Sequence, residues 1–281
     1  MRIAIIGCGR FGQEILNMLI ETGSHEIYAI EENSKIVEEL NSSQDIMALQ
    51  GSGTDYDLLQ EIEMNKIDVC IACTGSDEIN TLVCVYAKKM GAKHTIARSF
   101  GDDHNSSAAK FMKSKLEVEL LVNPLYQTAK AIHKIIRDTI KKGDIMLLGA
   151  NKITIYLAKM LLKDESYELK IIDNDYKRVE RVCAELPEEV LTINGDCADH
   201  NVLLSEGLEE VKGFVSLTNL DEENILTSLF ALEHNIPCIV TKINKSSYTD
   251  IVRNLSLDNV VSPIGATAEI ITDFIKELGK K

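Results

Sequence analysis

Apolar residues in this chain form short unbroken runs, and between the runs they recur every three or four positions. The chain opens on Arg2–Ile6, a continuous run. Phe11–Ile20 follows, with Phe11, Ile15, Leu16, Leu19 and Ile20 on one helical face. Similar runs at Glu26–Ile30, Asp45–Leu49, Val69–Ala72, His94–Ala97 and Leu120–Val122 are candidate strands, with helix-patterned segments between them. Runs without polar alternation are buried on both faces, as in a parallel sheet covered by helices. Strands that alternate with helices build βαβ units and a doubly wound sheet. After the last run, Asn123-Pro124 leads into a helix from about Leu125 to Ile140, with an apolar stripe of Leu125, Ala129, Ile132 and Ile136 that requires a partner.

The pattern then repeats. IAIIGCGRFGQEILNMLI matches IMLLGANKITIYLAKMLL, with Gly7 over Gly149 at an offset of 142. Glu31 falls over Asp173, Thr74 over Thr218, Asn80 over Asn224 and Arg98 over Lys242, while small loop changes move the offset. The helix near Ala266–Leu278, with Ile270, Ile271, Phe274 and Ile275, is the counterpart of the Leu125–Ile140 helix. The expected architecture is α/β: two tandem Rossmann-like doubly wound parallel-sheet domains, each followed by a helix. Residues 1–141 form the first and 142–281 the second, degenerate copy.

Within the first copy, Gly7-Cys8-Gly9-Arg10-Phe11-Gly12 lies between a strand and a helix. Gly7 permits a tight turn, Gly9 leaves room for a pyrophosphate against the backbone, and Gly12 lets helix and strand pack closely. The helix N-terminus adds free N–H groups and a positive dipole end. Glu31, 19 residues after Gly12, ends the second strand where a carboxylate accepts hydrogen bonds from ribose hydroxyls; no arginine follows in EENSK, which favours NAD(H) or an adenosine phosphate over NADP. The loops Gly51-Ser52-Gly53-Thr54-Asp55 and Thr74-Gly75-Ser76-Asp77, and Arg98 at the end of the fifth strand, fall at the same sheet edge, where ligands bind. In the second copy Asn151 and Thr154 replace the second and third glycines, so nucleotide binding there is expected to be weak or lost, although Asp173 and Asp196 remain.

Charge and composition narrow the function. The chain carries 30 basic and 44 acidic residues, net −14, which disfavours nucleic acid as a partner. Residues 1–142 are net −4 and residues 143–281 net −10, which adds to the expectation of a weak second site. No apolar run approaches the ~20 residues needed to span a bilayer, and the first residues already form a strand–turn–helix unit, so a cytoplasmic protein without direct membrane insertion is expected. Seven cysteines cannot all pair. Cys70 and Cys73 sit in a buried strand run with no second CxxC, and the histidines (His25, His94, His104, His133, His200, His234) show no ligand spacing, so no metal site is expected.

Taken together, GCGRFG, the acid ending strand two, a Gly-x-x-Thr/Ala-Asp loop, T-x-x-D-E-x-N, and x-Pro before an amphipathic helix resemble the TrkA-type cytoplasmic regulators of bacterial potassium uptake, whose nucleotide-binding unit is the RCK or KTN domain. The resemblance covers nearly the whole chain. It implies a regulatory subunit, not an enzyme, that binds NAD(H) or ATP/ADP, assembles as a homo-oligomer and gates a membrane potassium transporter of the TrkH or TrkG kind. It would thus lie at the inner face of the plasma membrane through that partner. It also implies that the helix after each sheet is a crossover helix. The implied contacts are Gly7, Gly9, Arg10, Phe11, Gly12, Glu31, Gly51, Ser52, Gly53, Thr74, Gly75 and Arg98; their second-copy counterparts are Gly149, Asp173, Asp196, Thr218 and Lys242. Two features depart from the family. Ile140 leads almost directly to Asp144, so the C-terminal subdomain that follows each crossover helix is expected to be absent, and Ser52 stands where relatives carry Asp. The alternatives are an NAD-dependent oxidoreductase, which would need a substrate domain that neither copy leaves room for, and a DNA-binding redox sensor, which would need a basic face.

Overall fold

The apolar runs become strands and the periodic segments become helices, within about three residues of the expected limits. The computed structural model describes residues 1–23, 25–43, 46–101, 107–163 and 166–280; Asp45 and His104 lie outside them. The first repeat runs β1 (Arg2–Ile6), α1 (Arg10–Thr22), β2 (Glu26–Glu31), α2 (Ser34–Ser43), β3 (Ile46–Gln50), α3 (Tyr56–Glu61), β4 (Val69–Ala72), α4 (Asp77–Met90), β5 (His94–Arg98), α5 (Ser107–Lys115), β6 (Leu120–Val122) and α6 (Pro124–Thr139). The second runs β7 (Gly143–Leu148), α7 (Lys152–Leu161), β8 (Tyr167–Asp173), α8 (Tyr176–Glu185), β9 (Leu191–Asn194), α9 (His200–Ser205), β10 (Gly213–Ser216), α10 (Asp221–Glu233), β11 (Cys238–Lys242), α11 (Thr249–Arg253), β12 (Val260–Val261) and α12 (Pro263–Leu278). Only Ile140, Lys141 and Lys142 separate α6 from β7, so no subdomain intervenes there.

Each repeat builds one six-stranded sheet. The orders are β3-β2-β1-β4-β5-β6 and β9-β8-β7-β10-β11-β12, and the strand pairings are parallel. The chain starts in the middle of each sheet and winds outward both ways, so the strand order reverses between β1 and β4, and between β7 and β10. Helices leave in opposite directions from those strand ends, which opens a crevice at the carboxyl edge. Both faces of the central strands are buried: Ile3, Ala4, Ile5 and Ile6 are sealed from solvent, as are Ile145 to Leu148. That explains why these strands read as continuous apolar runs.

The sequence repeat divides at 141/142, but the packing divides elsewhere. One compact unit is Met1–Pro124 together with the chain from Thr267 onward; the other is Leu125–Ala266. Thus α6 follows the first sheet in the chain but belongs to the second unit. Its Ala129, Ile132 and Ile136 are buried in one cluster with Ile145 and Leu147 of β7, Val215 of β10 and Val240 of β11. Within the first unit, α12 buries Ala268, Ile271 and Ile275, and the Phe274 ring meets His94 edge-on at 6.3 Å. The apolar stripes read from the sequence therefore serve as core faces.

Candidate functional site

The carboxyl edge of the first sheet is assembled from four strand ends. The turn after β1 needs glycine at two points for the fold itself. Gly7 adopts φ +92°, and a Cβ there would lie 2.9 Å from the Thr74 nitrogen. A Cβ on Gly12 would lie 2.1 Å from the Gly7 carbonyl oxygen, so α1 can approach β1 only without one. Gly9 differs: its φ is −63°, and an added Cβ would meet nothing within 4 Å. The fold does not require glycine at that position. What glycine preserves there is open space in front of the α1 N-terminus, whose first N–H groups receive no side-chain cap from Gly9. Arg10 stands exposed on the first turn of α1, a cation at the positive end of a helix, which an arriving anion would offset.

Glu31, at the end of β2, is half-buried beside this turn. Its Oε2 accepts from the Cys8 N–H at 2.6 Å and its Oε1 from the Asn33 N–H at 3.0 Å. A carboxylate offers about four acceptor positions, so each oxygen can still accept another hydrogen bond. In the loop after β3, Gly53 packs where a Cβ would strike the Ile6 side chain at 2.1 Å, and a Cβ on Gly51 would strike Leu58 at 2.2 Å. Ser52 Oγ is 3.1 Å from Thr54 Oγ1, and Asp55 caps α3 through the Asp57 N–H. Gly75 has open space at its Cβ position. Arg98 ends β5 with its guanidinium between the Phe11 and Phe100 rings, 5.1 and 4.3 Å from their centroids. Its Nε is buried without a hydrogen-bond partner. Burial pushes its pKa down, opposed by its electrostatic interactions with the Cys73 sulfur and the Asp77 carboxylate; a guanidinium stays charged nonetheless.

One organising residue was visible in the repeat yet not assigned a place at the site. Asn80 is sealed from solvent. Its Oδ1 accepts from Thr74 N (2.7 Å) and Thr74 Oγ1 (2.8 Å), while its Nδ2 donates to the carbonyls of Thr74 (3.3 Å) and Arg98 (3.0 Å). It ties the end of β4 to the end of β5. Asp77 fixes the loop after β5 by accepting from the Phe100 N–H at 2.8 Å. Asn224 repeats the arrangement with Thr218 and the Lys242 carbonyl, and Asp221 accepts from the Asn244 and Lys245 N–H groups. The T-x-x-D-x-x-N motif is thus the clamp that shapes the edge, and its recurrence in both repeats was the available signal.

The second edge uses the same frame but closes the turn from within. Gly149 keeps its positive φ of +101°. Asn151, in the place of Gly9, accepts from the Ile153 and Thr154 N–H groups at 2.9 and 3.3 Å, and its amide donates to the Leu217 carbonyl at 2.7 Å. It thereby occupies the N–H groups that are open on α1. Thr154, in the place of Gly12, donates its hydroxyl to the Gly149 carbonyl, so a steric conflict becomes a hydrogen bond. Asp173 accepts from the Ala150 and Asp175 N–H groups and is covered by Arg178, 3.3 Å away, which leaves it 3% exposed. Asp196 lies exposed and accepts from the Ala198 N–H.

Beside the closed turn is a cavity of about 390 Å³ whose lining includes Asn151, Lys152, Arg178, Arg181, Lys242 and Asn244. The net −10 of this half does not describe that edge. Four cations line the cavity, and in salt a distant acidic residue is screened within ~8 Å. Arg178 and Arg181 on α8 have no basic counterpart on α2, where Lys35 is the one cation in SKIVEELNSS, a contrast that the sequence itself carries. Among the described residues no cluster of His, Cys, Asp or Glu could hold a metal, and no helix is long and apolar enough to cross a membrane.

The TrkA-N domain family model matches residues 3–124 and again 145–263. The chain is similar to the Trk system potassium uptake protein TrkA homolog 2 of Methanosarcina mazei, with 23% identity covering 95% of this chain and 79% of that protein. Among solved structures it is similar to GsuK bound to ADP, with TM-score 0.77 and 20% identity, covering 98% of this chain and 69% of that one. The GsuK channel bound to NAD gives a TM-score of 0.79 at 15% identity, covering 99% and 64%. At these identities the solved structures bear on the fold.

Proposed function

The chain belongs to the TrkA-N domain family, and from that premise we propose that it is a regulatory subunit of potassium uptake that responds to an adenine nucleotide, NAD(H) or ADP/ATP, bound at its first repeat. The observation that carries this reading is the open turn. Gly9 is a glycine that the fold does not need, and it stands before an uncapped helix N-terminus, with Glu31 beside it. The pyrophosphate lies against Gly7, Gly9 and Gly12 with Arg10 at its flank, and the ribose hydroxyls donate to Glu31. Phe11, Gly51, Ser52, Gly53, Thr74 and Gly75 complete the edge. Arg98, already desolvated, points its unused donors toward ligand oxygens. The relatives' names support the potassium-uptake role, and the ligands named for the GsuK structures support the nucleotide class.

No reaction is assigned to the chain, because its relatives are named as components of potassium uptake and its two repeats are copies of one α/β frame. The function is a coupling. A nucleotide that binds one arrangement of the regulator more tightly than another shifts the balance by that difference in affinity. The shift reaches a membrane transporter subunit of the TrkH or TrkG kind through a homo-oligomer of this chain.

Calorimetric titration with NADH, NAD, ADP and ATP tests the binding step. Gly9→Val places a branched side chain where the phosphates lie, at a position whose Cβ meets no atom within 4 Å. Affinity should fall at least about 100-fold while the melting temperature stays within about 2 °C of the parent. Unchanged affinity for every nucleotide would remove the proposal. Substrate-dependent NADH oxidation would replace it with the oxidoreductase reading.

A further inference from the structure

The cavity of the second repeat has cations from three elements and, among its lining residues, no carboxylate that could accept from ribose hydroxyls. Lys152 comes from the start of α7, Arg178 and Arg181 from α8, and Lys242 from the end of β11. Lys242 is only 4% exposed, and among the described residues its Nζ has no hydrogen bond or ion pair. The acid whose charge acts on it, Asp221, already spends its oxygens on the Asn244 and Lys245 N–H groups and the Asn244 amide. Burial strips water from the Lys242 side chain, so an anion beside its ammonium is favoured, and Lys242 lines the cavity into which that anion would fit. Meanwhile the nucleotide determinants are spent. The Asn151 carboxamide holds the helix N–H groups, and Asp173, the ribose-accepting acid by position, lies sealed under Arg178 and does not line the cavity. The volume is at the small end of the range for ligand sites.

We propose that this cavity binds a compact diphosphate group through Lys242, Arg181, Arg178 and Lys152, without recognising a nucleoside, as a second and chemically different site from the open turn of the first repeat. Free pyrophosphate and the diphosphate of a larger molecule share this chemistry. Each presents several charged oxygens to guanidinium and ammonium donors.

The test is calorimetric titration of the full chain carrying Gly9→Val, which closes the first turn, with inorganic pyrophosphate and, separately, with ADP. Pyrophosphate should bind once per chain. Lys242→Met, which keeps the volume and removes the buried charge, should weaken it about tenfold or more. Arg181→Ala, at an exposed position, should weaken it severalfold without affecting the fold, and it decides the matter if Lys242→Met does not fold. ADP should bind no more tightly than pyrophosphate. Three results would each overturn the proposal: no pyrophosphate binding in the Gly9→Val chain, the same affinity after both substitutions, or ADP binding at least tenfold tighter than pyrophosphate.

Discussion

At the residue scale, the three glycines of the first turn carry three different burdens. Gly12→Ala would force a methyl to within 2.1 Å of a backbone oxygen, so α1 must move away from β1. Overpacking of this kind costs about 1–3 kcal/mol, and denaturant unfolding should show a lower midpoint with nucleotide affinity reduced as the turn opens. Asn80→Ala leaves the Thr74 N–H and the Arg98 carbonyl without their partners. Each buried group left unsatisfied costs about 1–3 kcal/mol, and affinity should fall as well, because the ends of β4 and β5 are no longer held together. The thiols offer a further measurement. Burial pushes Cys8, Cys70 and Cys197 up to about 12, whereas Cys183 is exposed. Only thiolates react with alkylating reagents at useful rates, so the folded chain should show one fast thiol, and the denatured chain all seven.

At the element scale, α1 and α7 are the same helix with different N-termini. The first N–H groups of α1 receive no side-chain cap from Gly9, whereas those of α7 are closed by Asn151. An N-cap of this kind contributes about 0.5–2 kcal/mol over alanine. Asn151→Ala should therefore destabilise the second unit by that amount, read from chemical denaturation. The corresponding change Gly9→Ala, on a turn that lacks a side-chain cap, should change stability far less. The second turn closes its own helix N-terminus, and the closure can be traced to two residues, Asn151 and Thr154.

At the scale of the whole molecule, the apolar stripe of α6 belongs to a core. From the sequence alone, Ile132 and Ile136 are expected to hold the two copies, or neighbouring chains, together, so that charging them uncouples nucleotide from potassium uptake while leaving nucleotide affinity in the first copy near its original value. Both are fully buried in the cluster of the second unit. Burying an isoleucine contributes about 1.5–3 kcal/mol, and a buried unpaired carboxylate adds a further cost. Against a usual domain stability of about 5–15 kcal/mol, the pair Ile132→Glu and Ile136→Glu should abolish the cooperative unfolding of the second unit. Scanning calorimetry should show its transition lost. A retained transition would mean that α6 is dispensable to that core.

The sequence by itself determined the elements, their order and the duplication. Continuous apolar runs can be buried on both faces only in a parallel sheet, and a pattern repeated at a near-constant offset leaves no other fold for the second half. It also marked Gly7, Gly9, Gly12 and Glu31, because their spacing along one strand–turn–helix is local. What depended on distant parts of the chain was not legible. The clamp made by Asn80, the cover that Arg178 lays over Asp173, and the isolation of Lys242 each join residues from separate strands and helices, and a linear pattern does not record which of them meet. Where α6 packs was not legible for the same reason: order along the chain puts it with the first copy, whereas its packing puts it in the second unit. An amphipathic stripe states that a helix must be covered, but only the packing of the sheets selects which one covers it.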